Sequence, residues 1–217
     1  MTDVLETTLT ALQRTVDELS AREAIRDVLY RYARGVDRAD VELLKSCYHP
    51  EAVDAHWTFI GNAYEFAEEI LKSHQMGDLP LLKHFITNVL IELDGDRAFV
   101  ESSFLCMVDL PVEEGARAHL VSHGRYLDVF ECRGGDWRIL SRLLVGEGAD
   151  WSTPRPVPGH AGQPQPDERQ RASRSPADPV YSRFQLTTIL PDPYRHDDDV
   201  WAPAREYFRR GLAERRS

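Results

Sequence analysis

KHFITNVLIELDGDRAFVESSFLCMVDL, residues 83–110, decides the fold, because two runs rich in β-branched and aromatic residues meet there at Asp94-Gly95. That dipeptide readily takes the positive φ of a tight turn, so the two runs are predicted to be antiparallel neighbours. Toward the C-terminus the pattern repeats: AHLVSHGRYLDVFECRGG (118–135) and DWRILSRLLVGEG (136–148) meet at Gly134-Gly135. The four runs read as a meander.

Upstream the period changes. AVDAHWTFIG (52–61) reads as a strand and YEFAEEILKSH (64–74) as a helix. Val4, Leu5, Leu9, Leu12, Val16 and Leu19 fall at roughly helical spacing and predict an opening helix. Ser20 and Glu23 form a capping box that predicts a fresh start, with a second helix burying Ala21, Ile25, Val28 or Leu29, Tyr32 and Val36 and weakening at Gly35 before Asp37. Asp40 can cap a short third helix, VELLKSCYH (41–49), which Pro50 closes. Helices first, then a strand-helix unit, then a meander, make an α+β domain: a curved, mostly antiparallel (mixed) sheet wrapped around helices on one face, enclosing a cone-shaped pocket.

The domain ends near Trp151. Ten of the 13 prolines lie beyond it, and proline fixes its own φ and restricts its predecessor, so 152–179 is expected to be an extended arm. Residues 180–217 then form a C-terminal extension with a strand-like run, PVYSRFQLTTILPDPY, and a terminal helix around VWAPAREYFRRGLAERR. Charge divides at the same place. From Ser152 onward 11 arginines face 9 acids, which leaves −12 of the total −10 on residues 1–151. An acidic core repels phosphate backbones, so a nucleic-acid partner is disfavoured. No run reaches the 18 or so apolar residues of a membrane span, and the N-terminus lacks a signal-peptide pattern; a cytoplasmic protein is expected. Cys47, Cys106 and Cys132 are widely spaced and suggest neither a disulfide framework nor a zinc ribbon.

Side chains two apart on a strand share a face, so His84, Ile86, Asn88 and Leu90 are expected to point the same way. On a concave face this sets an imidazole and a carboxamide in an apolar pocket; otherwise His84 is a satisfied, half-buried residue. Asp37, read alone, is a turn or capping residue, but a carboxylate that met His84 would fix its tautomer and raise its basicity. Arg142 sits on a strand with both faces partly apolar, and a buried guanidinium requires a partner, either a structural carboxylate or a developing anion. Asp54 and His56 share a strand face without a third metal ligand, and His119 and His123, about 13 Å apart on a strand, cannot share a metal. Nucleotide-binding and metalloprotease motifs are absent from the sequence.

AREAIRDVLYRYARGVDRAD (21–40), KHFITNVLIEL (83–93) and HGRYLDVFECRGGDWRILSR (123–142) resemble the SnoaL-like branch of the nuclear transport factor 2 superfamily, over about residues 15–151. That branch includes cofactor-independent lyases (bile-acid 7α-dehydratase, scytalone dehydratase, hexachlorocyclohexane dehydrochlorinase and a diarylpropane lyase releasing formaldehyde) and non-catalytic small subunits of ring-hydroxylating dioxygenases. Its catalytic members place an Asp at the end of the long helix and a His base on the sheet, matched here by Asp37 in GVDRAD and His84 in KHFITN. Tyr32, five residues before the Asp, and Arg142, closing W-R-I-x-x-R, match a further pair. The resemblance implies a lyase without metal or cofactor, in which His84, oriented by Asp37, removes a proton while Tyr32 and Arg142 stabilise or protonate the departing group. Asn88, Tyr30, Trp57 and Tyr126 are the expected substrate-binding residues, the substrate being small, hydrophobic and aromatic or polycyclic. A homo-oligomer, a trimer in particular, is expected; the tail departs from the family pattern, and 180–217 is expected to extend the core over the pocket mouth or a neighbouring subunit. A ketosteroid-isomerase-like isomerase and a non-catalytic ligand-binding subunit are the alternatives.

Overall fold

The computed structural model describes residues 2–76, 79, 81–111 and 117–152, with Arg174, Asp178, Val180 and Tyr181 beyond them. The chain divides into two units, Met1–Ser152 and Thr153–Ser217. In the second, Asp178 accepts hydrogen bonds from the backbone of Val180 and Tyr181 in a short turn. The strand-like run and terminal helix expected within 180–217 lie outside the described residues.

The first unit is α+β. A single helix α1 (Thr2–Arg38) is followed by α2 (Val41–Ser46), β1 (Tyr48–His56), β2 (Phe59–Asn62), α3 (Ala63–Met76), β3 (Leu82–Asp94), β4 (Arg97–Pro111), β5 (Arg117–Arg133) and β6 (Asp136–Ser152). The strands form one mixed sheet, ordered β2-β1-β6-β5-β4-β3, in which only β1 and β6 run parallel. The helices cover one face. Among the described residues no helix is long and apolar enough to cross a membrane.

The expected break at Ser20 does not occur. No glycine or proline interrupts residues 2–34, so the helix runs straight through the capping box for 37 residues, roughly 55 Å. Its N-terminal stripe, Val4, Leu5, Leu9, Leu12, Val16 and Leu19, is exposed, and burial begins at Ile25. Gly35 marks a close approach within the helix: a Cβ there would lie 3.0–3.1 Å from backbone and side-chain atoms of Leu44, so α2 packs directly onto α1. The helix ends with Ala39 in the left-handed region (φ 53°), Ala39 N–H donating to Val36 O and Asp40 N–H to Gly35 O. Asp40 then caps α2 by accepting from Leu43 N–H.

Two other expectations are corrected. Helix α2 stops at Ser46, and Pro50, expected to close a helix, lies within β1. The run 52–61 is a hairpin, turning at Trp57 and Thr58 with Trp57 at φ 54°. The turns at Asp94-Gly95 and Gly134-Gly135 form as expected, their glycines at positive φ.

Two bulges set which residues face the helices. On β3 the register shifts between Thr87 and Leu90, where Asn88 takes φ 47°. The inward set changes from Leu82, His84 and Ile86 to Val89, Ile91 and Leu93, which leaves Asn88 and Leu90 exposed. The expected common face of His84, Ile86, Asn88 and Leu90 is therefore broken. On β6 a shift opposite Val129 and Phe130 changes the inward set from Trp137 and Ile139 to Arg142 and Leu144.

Candidate active site

Asp37 sits one residue before the end of α1, buried where the helix meets β3. Its carboxylate takes three hydrogen bonds from one residue. His84 backbone N–H donates to Oδ1 at 2.9 Å and to Oδ2 at 3.1 Å, and His84 Nδ1 lies 2.8 Å from Oδ1. Lys83 Nζ lies 3.6 Å from Oδ2. The His84 side chain is 8% exposed. Burial alone would lower its pKa, but the bonds to Asp37 and to Cys106, its partner across the β3–β4 ladder, outweigh that and lift it to about 9.

A cavity of about 350 Å³ reaches Leu82 on β3 and Cys106, the cross-strand partner of His84, while neither His84 nor Asp37 is among its lining residues. Tyr32 from α1, Phe66 and Ile70 from α3, Cys106 and Val108 from β4, and Leu120 from β5 make it largely apolar. His56 and Trp57, from the β1–β2 turn, complete one wall. Trp57 is 63% exposed, and its ring lies over Gly146, where a Cβ would approach it to 2.6 Å.

Behind the cavity lies a buried polar cluster. Arg142 donates two hydrogen bonds of 2.7 Å to Asp128, its cross-strand neighbour on β5, and both side chains are fully buried. The guanidinium carbon lies 4.0 Å from the Tyr32 ring centroid and 4.2 Å from that of Tyr126, so two rings clamp the cation. Burial pushes the Asp128 pKa up, with Arg142 opposing, and pushes the Tyr32 and Tyr126 phenols well above their ordinary value, which keeps them proton donors.

Of the expected site residues, Asp37 and His84 are joined, and Tyr32 and Trp57 line the cavity. Arg142 is taken up by Asp128, the structural alternative. Tyr126 is fully buried and stacked on Phe104, with its hydroxyl unpartnered among the described residues. Asn88 is exposed beyond the β3 bulge and Tyr30 is 52% exposed on α1, so neither belongs to the cavity. His56 is the residue that sequence reasoning passed over. Its shared strand face with Asp54 is the available signal, but on sequence alone the pair suggests only an incomplete set of metal ligands.

A family model described as a SnoaL-like domain matches residues 17–143. The chain belongs to the SnoaL-like family. No curated protein matches it. Among solved structures, this SnoaL-like chain is similar to the hexachlorocyclohexane dehydrochlorinase LinA-type3 of Novosphingobium barchaimii, at 20% identity and a TM-score of 0.56 over 69% of this chain and 99% of that one. A Novosphingobium aromaticivorans protein provisionally named a scytalone dehydratase is 18% identical, with a TM-score of 0.56 over 65% and 93% of the two chains. A Mycobacterium tuberculosis protein of unknown function, Rv3472, is 21% identical, with a TM-score of 0.51 over 61% and 75%. At these identities the likeness is one of fold.

Proposed function

We propose that this SnoaL-like protein is a lyase that needs no cofactor and eliminates water, hydrogen halide or formaldehyde from a small hydrophobic, aromatic or polycyclic substrate held in the cavity. The observation that carries the reading is the contact between Asp37 and His84. A buried carboxylate accepts three hydrogen bonds from one histidine, which fixes the ring's orientation next to Cys106, a residue of the cavity wall. Such a cavity suits a neutral substrate.

The resemblance makes His84 the base. Its pKa near 9 supports a different allocation, since at pH 7 the ring carries its proton and is ready to give it to a departing group. It becomes an acceptor only on the alkaline side of that value. Tyr32, neutral and on the cavity wall, adds a hydrogen-bond donor to the same group. Arg142 and Asp128 hold the Tyr32 ring from behind.

In loss of water or hydrogen halide a C–H pair becomes a double bond and the leaving group departs with its bonding pair, hydroxide taking a proton and halide leaving as the anion. In loss of formaldehyde the proton comes from O–H, whose pair becomes the C=O bond, while the pair of the broken C–C bond stays with the other fragment and is protonated. Substrates of the enzymes that share this fold, hexachlorocyclohexane and scytalone, are the first probes. Release of chloride or water by the wild type, abolished in His84→Gln and Asp37→Asn variants that stay folded, is the expected result. Turnover that survives both substitutions overturns the reading. A homo-oligomer, with a trimer as the first candidate, is part of the proposal, and the exposed apolar stripe of α1 offers a surface for it. Sedimentation of the full chain as a monomer at micromolar concentration contradicts this part.

A further inference from the structure

The cavity is lined by a histidine that stands beside a buried carboxylate. His56 closes β1, lines the cavity and is 10% exposed, its ring stacked on Phe66 at 4.7 Å and tilted against Tyr126 at 6.1 Å. Its Nδ1 stands 3.4 Å from Oδ1 of Asp54, a residue with no exposed surface. The other oxygen of Asp54 accepts from the Tyr48 hydroxyl at 2.5 Å. Among the described residues, neither His56 Nδ1 nor Asp54 Oδ1 has a closed hydrogen bond. A buried carboxylate oxygen left half-engaged costs stability, and the Tyr48 hydroxyl engages only the other oxygen of Asp54.

We propose that His56, backed by Asp54, is the proton acceptor of the cavity and works with His84 as a base–acid couple. A proton on Nδ1 directed at Asp54 leaves the Nε2 lone pair to take a proton from the substrate. The surroundings fit the charge that this creates. Arg142 spends its paired hydrogen bonds on Asp128, which leaves Asp54, its neighbour on β1, to face an imidazolium at position 56. Before reaction, burial holds the His56 pKa below its ordinary value, with Arg142 and His84 opposing protonation and Asp54 favouring it. His84 is held above. Two imidazoles whose environments separate them in this way divide into acceptor and donor at neutral pH.

The role of the couple in the native reaction rests on the elimination reading, and its chemistry is tested without the native substrate. 5-Nitrobenzisoxazole is a small aromatic whose C3–H proton passes to a base in one step. The C–H pair completes a nitrile, the N–O bond breaks, and the oxygen leaves as a coloured phenolate. With the full chain, kcat/KM is expected to be half-maximal below pH 6.5 and flat through about pH 8. His56→Gln is expected to lower it at pH 7 by about 10²-fold, the usual share of a general base. Asp54→Asn should lower both the rate and the half-maximal pH, a shift that a merely structural role would not produce. His119→Gln, which removes the separate pair of His119 with Asp109, should change neither. A loss below tenfold in His56→Gln, a half-maximum near pH 9, or a wild-type rate no greater than that of free imidazole overturns the proposal. The wild-type pH profile needs no variant and decides the matter even where His56→Gln fails to fold. A couple confirmed here while the hexachlorocyclohexane and scytalone assays fail would leave His56 as acceptor and remove the lyase reading; the reverse pattern would do the opposite.

Discussion

Asp37 grips His84 at two points, through Nδ1 at 2.8 Å and through the backbone N–H at 2.9 Å, so the end of α1 and the start of β3 are tied by one carboxylate. The contact therefore ties the fold together and sets the titration of His84 at once. Its folded pKa near 9 stands above the ordinary 6.5, so its contribution to stability is fully present below pH 6.5 and is lost as pH rises through 9. That contribution is on the order of 3 kcal/mol. Chemical denaturation of wild type and Asp37→Asn should differ most below pH 6.5, with the gap narrowing toward pH 9. A gap independent of pH contradicts the assignment.

The pairing of Arg142 with Asp128 carries a different expectation. Arg142→Met leaves a fully buried carboxylate without its cation, and removing one partner of a buried pair costs about 3–5 kcal/mol. Arg142→Met combined with Asp128→Leu should recover most of that loss in denaturant titrations. A double variant as unstable as the single one would show that the arginine is needed for more than its pair.

Ala39 holds a left-handed conformation at the end of α1, two residues after Asp37. Glycine adopts it without the Cβ clash, so Ala39→Gly should stabilise the fold by about 1 kcal/mol despite the added freedom of the unfolded chain. A raised Tm with unchanged spectra is the expected outcome. A lowered Tm means that the Ala39 methyl contributes more by packing than its φ costs.

Gly146 lies under the Trp57 ring, and a methyl there must push the ring off the cavity wall. Gly146→Ala should raise KM for 5-nitrobenzisoxazole about tenfold, or 1.4 kcal/mol, with a much smaller change in kcat. A fall in kcat with KM unchanged would place Trp57 in the chemical step.

Much of the fold was legible in local chemistry. The turns at Asp94-Gly95 and Gly134-Gly135, the Asp40 cap and the apolar face from Ile25 to Val36 act through their near neighbours, and each appears where the sequence puts it. Asp37 and His84, 47 residues apart, were brought together only by the family resemblance. The bulges were not legible, because the two-residue period of a strand holds only while its ladder is unbroken. One bulge turns Asn88 out to solvent and the other turns Arg142 in to Asp128. The break expected at Ser20 failed for the opposite reason: a capping box is only an option for a chain in which nothing stops the helix. His56 became visible as a cavity residue only once Phe66 on α3 and Tyr126 on β5 were packed around it.

Separation of the two histidine pKa values tests the account most directly. Side-chain nitrogen NMR of the full chain between about pH 5 and 10, assigned with His56→Gln and His84→Gln, should show His84 losing its proton near pH 9 and His56 below pH 6.5. Midpoints that coincide, or that fall in the opposite order, contradict it.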